Sequence, residues 1–182
     1  VVGKVGTAVA YADDIIDSLH QQERATGKAK ILNLSSAQDK TGVWRSQGYR
    51  VGFTNGCFDL LHPGHLAVIR QAKAACDKLI VGLNSDSSTK RLKGAERPIQ
   101  PEIARAAVLA SLEDVDLVII FVEDTPANLI KSLKPDVFIK GADYTIEQIP
   151  EAKIVQGYGG EVLLAELAEG YSTTATIARL AQ

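Results

Sequence analysis

From Arg50 onward, apolar and polar positions alternate in blocks of a regular length. RVGFTN (50–55), KLIVGLN (78–84), DLVIIF (116–121), DVFIK (136–140) and EVLLAE (161–166) are short apolar runs rich in branched residues. The run at 116–121 is continuously apolar, as a strand buried on both faces requires. Between them lie stretches with helical spacing: about His65–Ala75, Pro101 to about Leu112, Thr125–Leu133, Ile146–Gly157 and Thr173–Leu180. Pro101 suits the first turn of its helix. Strands alternating with helices at this distance predict right-handed βαβ units and a parallel sheet. The expected fold class is α/β, a doubly wound Rossmann-like parallel sheet of about five strands.

Residues 1–49 have a different texture. Val1–Ala10 reads as a short strand broken by glycines, and Tyr11–Gln22 places Ile15, Ile16 and Leu19 at helical spacing. Glu23–Lys30 is polar and linker-like. Ser35 or Ser36 is positioned to cap a second helix running to about Gln47, with Trp44 on its apolar side as a core or interface anchor. The expected division is an N-terminal extension over 1–49 and the α/β domain over 50–182.

Composition narrows the classes. In 182 residues, 46% are hydrophobic and 23% charged, which suits a globular chain with a substantial core. The net charge of −2 makes no case for nucleic acid or an anionic membrane surface as partner. No apolar run approaches the ~18 residues that a bilayer-spanning helix needs. Two cysteines build no disulfide framework, so a reduced, cytoplasmic setting is expected, with Cys57 and Cys76 as small apolar fillers. There is no methionine and the chain starts at Val1, which points to a piece of a longer protein or to a processed chain.

The candidate chemistry lies in the loop after the first predicted strand of the domain. In open α/β sheets, ligands bind beyond the carboxyl ends of the strands. That loop reads Thr54-Asn55-Gly56-Cys57-Phe58-Asp59-Leu60-Leu61-His62-Pro63-Gly64-His65, and it is neither a Walker-type nor a GxGxxG loop. Gly56 allows close backbone approach, Gly64 lets the chain turn into the helix, and His62 and His65 can face one point at the positive helix end. Two imidazoles beside free N–H groups suit a phosphate that gains charge during transfer. Asp59 is placed to orient one imidazole. An HxxH pair also suits metal ligation, but no third His is near and His20 is remote, so no protein metal site is expected.

GCFDLLHPGH carries the GxFDxxHxGH pattern and resembles the nucleotidyltransferase superfamily of cytidylyltransferases and several adenylyltransferases. Further similarity over about Val51–Leu180 is to its heptose 1-phosphate adenylyltransferase branch, through VGLNSDSSTKRLKGAERPI, EDTP, KGADY and YSTTATI. The resemblance implies in-line attack of a sugar 1-phosphate on the α-phosphate of ATP, with Mg²⁺ accompanying the nucleotide. His62, His65 and Lys93 are its implied catalytic groups. Nucleotide and phosphate contacts are implied for Asn55, Gly56, Cys57, Phe58, Asp59 and Gly64, for Lys90 and Arg97, for Lys140, Gly141 and Asp143, and for Ser172, Thr173 and Thr174. Lys90, Arg91, Lys93 and Arg97 fall within eight positions closed by Gly and Pro, and read as a mobile basic lid. Asp86 caps the next turn or meets substrate; Arg105 pairs at the surface or serves the site, where the family usually has an arginine. Cytidylyltransferases commonly carry an arginine shortly before the STT element. Leu167-Ala168-Glu169 has none, which counts against the glycerol-phosphate cytidylyltransferase branch. Val1–Ala10 is similar to the last strand of a ribokinase-like sugar kinase, implying such a domain upstream, and a homodimer is compatible with the first 49 residues. The alternatives are a cytidylyltransferase for a small phosphorylated alcohol or phosphonate, and a nucleotide-binding module without turnover.

Overall fold

The structure, a computed structural model, describes residues 28–141 and 145–166. Five strands, β1 (Val51–Gly56), β2 (Lys78–Asn84), β3 (Leu117–Phe121), β4 (Val137–Gly141) and β5 (Glu161–Ala165), form one sheet in the order β3-β2-β1-β4-β5. Every pairing is parallel. The helices are α1 (Leu34–Ser46), α2 (Pro63–Ala74), α3 (Asp86–Lys93), α4 (Glu102–Ala110), α5 (Ala127–Leu133) and α6 (Pro150–Gly157). The expected doubly wound sheet is thus observed.

Alternation along the strands divides the core into two layers. Phe53, Ile80, Ile119 and Phe138 face α1, α5 and α6 through Trp44, Ile130 and Val155. Leu79, Val81, Val118 and Ile139 face α2 and α4 through Ile69, Ala106 and Leu109. Strands β1 to β4 are covered on both faces, which is why their sequences are nearly continuous apolar runs. At the amino edge of the sheet, aspartates bond the first amides of neighbouring strands. Asp116 accepts from Leu79 N at 2.9 Å and Asp136 from Val51 N at 2.7 Å, and Asp77 accepts from Arg50 N at 2.7 Å, just before β1.

Leu32 N donates to Val118 O, and Ala37 and Trp44 are buried in the first core layer, so residues 28–49 pack against the sheet. One expectation changes here. The cap of α1 is Asn33, whose Oδ1 accepts from Ser36 N at 2.9 Å, rather than Ser35 or Ser36. No described helix is long and apolar enough to cross a membrane. The strand expected at Val1–Ala10 and the helices expected at Tyr11–Gln22 and Thr173–Leu180 lie outside the described residues.

Strand order reverses direction between β1 and β4, and the crevice beyond their carboxyl ends is where doubly wound sheets take ligands.

Candidate active site

The site starts where β1 ends. Asn55 and Gly56 close the strand, and Lys140 near the end of β4 reaches across the switch point to Asn55 Oδ1 at 2.9 Å. The chain then turns through two non-glycine residues in the left-handed region, Phe58 at φ 45° and Leu60 at φ 51°. Gly64 does not make this turn; it is buried inside the first turn of α2. Gly56 makes room for the Phe58 ring, since a Cβ there would stand 3.2 Å from the ring edge. The glycines therefore supply space, and the bend itself is forced onto larger residues.

His62 is the N-cap residue of α2, and His65 lies in its first turn, so the two imidazoles stack with centroids 3.8 Å apart and planes 19° from parallel. Phe58 tilts against the outer side of His65 at 5.2 Å. Nδ1 of both histidines is buried with no hydrogen-bond partner. The His62 side chain makes no capping bond, Pro63 brings no N–H, and no acidic residue stands in the first turn. The positive end of α2 thus lacks any described side chain that compensates it, an arrangement suited to an external anion.

Burial pushes His65 down from its ordinary value of 6.5 to about 4, with His62 adding to the fall and Asp59 opposing it. Burial also lowers His62. Both rings are consequently neutral near pH 7, each with one N–H to donate.

Asp59, expected to orient an imidazole, also binds the segment that follows the basic residues. Its carboxylate accepts from Arg97 Nε at 2.7 Å, Ile99 N at 2.9 Å and Gln100 N at 3.2 Å. Those backbone and guanidinium donors hold its pKa below the usual carboxylate range against the cost of burial. Arg97 is thereby brought to the histidine loop as an ion-pair partner of Asp59.

The expected basic lid is half helix. Ser85 caps α3 through Ser88 N, Asp86 stands in its first turn, and Lys90, Arg91 and Lys93 occupy its last turn, matching the helix dipole at both ends. Ser88 and Thr89 are buried, with Ser88 Oγ donating to Glu123 O. The side chains of Lys90 and Lys93 are exposed, with no hydrogen-bond or ion-pair partner among the described residues, whereas Arg91 pairs with Asp124 at 2.7 Å. Asp143, Ser172, Thr173 and Thr174 lie outside the described residues, and Gly141 closes β4.

Arg105 departs most from its sequence reading. It is 2% exposed and donates to Cys57 O, Asn84 O, Gln100 O and Asp86 Oδ1 at 2.5–2.9 Å. A signal existed: Arg105, Ala106, Leu109 and Ala110 share the buried face of α4, so the helical period places a cation on an apolar stripe. Cys76 is a filler as expected, its thiol raised to about 11 by burial. Among the described residues, no group of three or more His, Cys, Asp or Glu side chains could hold a metal ion.

Comparison with known proteins agrees with this geometry. The family model for cytidylyltransferase-like proteins matches residues 53–179. The bifunctional protein HldE of Paramagnetospirillum magneticum is 58% identical over 180 residues, which is 99% of this chain and 37% of that protein. Its counterpart in Acidiphilium cryptum is 57% identical with the same shares. The chain thus spans about 37% of the length of these curated relatives. Among solved structures, a lipopolysaccharide core biosynthesis protein from Thermoplasma volcanium is 26% identical with a TM-score of 0.55, covering 69% of this chain and all of that one. A pantoate–β-alanine ligase from Francisella tularensis shares the fold alone, at 19% identity and a TM-score of 0.56, covering 75% of this chain and 66% of its own. With the signature loop, the stacked histidines and the switch-point crevice falling inside the matched segment, this chain belongs to the cytidylyltransferase-like family.

Proposed function

We propose that this chain transfers AMP from ATP to D-glycero-β-D-manno-heptose 1-phosphate, giving ADP-heptose and pyrophosphate for lipopolysaccharide core synthesis. One observation carries the transfer chemistry: two neutral, stacked imidazoles with buried, unpartnered Nδ1 atoms at an uncompensated helix N-terminus. The acceptor and nucleotide rest on the heptose-branch resemblance, supported by relatives named HldE and the lipopolysaccharide core biosynthesis neighbour.

An oxygen of the sugar phosphate attacks the α-phosphorus in line; the bond from that phosphorus to the bridging oxygen breaks, and pyrophosphate leaves with the electron pair. No covalent link to the protein forms. His62 and His65 donate hydrogen bonds to phosphate oxygens as charge builds on them. The free N–H of Gly64 adds to that anion site. Lys93, with Lys90, supplies mobile positive charge from the end of α3. Asn55 and Lys140 border the crevice, and Gly141, Asp143 and Ser172–Thr174 complete the nucleotide contacts. Magnesium would arrive with the triphosphate and neutralise part of its charge. An upstream sugar kinase domain and a homodimer, read out by light scattering, belong to the same proposal.

The test is pyrophosphate release from ATP or CTP over a panel of sugar 1-phosphates and small phosphorylated alcohols. ATP with the heptose 1-phosphate is expected to win. Turnover with CTP alone sinks the heptose reading, and nucleotide binding with no turnover on any acceptor leaves a binding module. Changing either histidine to Ala should lower turnover by roughly 10²–10³-fold, the usual effect of removing one transition-state donor.

A further inference from the structure

Left-handed backbone at a residue such as Phe58, at φ 45°, is strained and persists only where the surroundings over-determine it. Here it is held on both flanks. On one side, the Cys57 carbonyl accepts from Arg105 Nη1 at 2.5 Å. On the other, the Asp59 carboxylate is gripped by Arg97 Nε, Ile99 N and Gln100 N. Gln100 closes the circuit, because its N–H goes to Asp59 while its carbonyl accepts from Arg105 Nε at 2.9 Å. The same guanidinium ends on Asn84 O at 2.9 Å and Asp86 Oδ1 at 2.8 Å, tying in the carboxyl end of β2 and the start of α3.

A buried arginine is a poor way to stabilise a helix face, since an apolar side chain of similar size commonly does as well or better. Its acceptors explain its presence: two lie at the carboxyl ends of β1 and β2, and the others bracket the basic segment. We infer that Arg105 and Asp59 are positioning residues for the transfer: by bracing both sides of Phe58 they fix its ring against His65, and so set where the imidazole pair meets the phosphate. The same circuit couples the 97–100 segment, and the cations leading into it, to the histidine loop. The kinetic part of this inference rests on the proposed nucleotidyl transfer; the geometric part does not.

The experiment uses Arg105→Lys and Asp59→Asn in the full chain, with steady-state kinetics and NMR titration of the histidine ring protons without nucleotide. Lysine keeps the charge but cannot span four acceptors. Both variants are expected to lose ~10–100-fold in kcat, as small misplacements of reacting groups do, with a much smaller change in KM. His65 is expected to titrate upward, from about 4 towards 6.5, as its ring gains solvent. The charged or titratable groups that act on it are His62 and Asp59. Removing the Asp59 charge alone would push His65 further down, so an upward movement in Asp59→Asn reports displacement of the ring. Unchanged kcat, or a reduced kcat with His65 titrating as in the parent, overturns the inference. If Arg105→Lys does not fold, Asp59→Asn carries both readouts. A parent protein without turnover refutes the proposed function, while the titration still decides the positioning.

Discussion

Burial keeps His65 uncharged, and that has a consequence for stability. Its folded pKa of about 4 lies below the ordinary 6.5, so the unfolded chain binds the proton more readily. Above pH 6.5 the group contributes nothing; as the pH falls from there towards 4, stability is progressively lost, by ~2 kcal/mol at pH 5. Urea unfolding from pH 7 to 5 should show this slope, and His65→Gln should flatten it. Glycines act by absence. A Cβ at Gly82 would stand 2.7 Å from Cζ of Phe53, and one at Gly52 would stand 2.5 Å from Sγ of Cys76. Gly82→Ala meets a ring locked in the core and should cost about 1–3 kcal/mol in thermal or urea unfolding. The histidine pair and its loop were legible in the sequence because a motif is local. The circuit through Asp59 and Arg105 was not, since the contacts that tie the histidine loop into it span 38 to 48 positions.

At the scale of the element, α3 was hidden by its polarity. Asp86–Lys93 has a single large apolar residue, Leu92, and that one is 46% exposed, so no apolar stripe announces a helix. Its stability comes instead from the Ser85 cap, charges matched to the dipole, and the buried hydroxyls of Ser88 and Thr89. Ser85→Ala should therefore cost ~1 kcal/mol, seen in thermal unfolding. Lys93 is the opposite case. Its side chain is exposed and has no partner among the described residues, so Lys93→Ala should leave stability within about 0.5 kcal/mol. If it reaches the phosphates, the same change should slow turnover by ~10–100-fold, the worth of a charge-assisted hydrogen bond. Parallel unfolding and kinetic measurements separate these two effects.

For the molecule as a whole, the alternation of apolar runs and amphipathic stretches was enough to read a doubly wound parallel sheet. Strand limits agreed within a residue or so, because a strand covered on both faces must be apolar along its whole length. The sequence reading separated residues 28–49 from the domain, since α1 is mostly polar and only Ala37, Thr41 and Trp44 are buried. Trp44 nevertheless closes the layer formed by Phe53, Ile80 and Phe138. Trp44→Ala should lower the stability of the entire domain by about 3–5 kcal/mol in one cooperative transition, as loss of a core aromatic does. An unchanged midpoint would return α1 to the status of an appendage. What the sequence determined alone was everything that depends on neighbouring positions: strand and helix periodicity, the signature loop, and the imidazole pair three residues apart. Tertiary structure decided which charges are sheltered, where Asp59 spends its carboxylate, and why Arg105 is buried. Those outcomes depend on desolvation and on partners from distant strands, and neither is a property of a local stretch of chain.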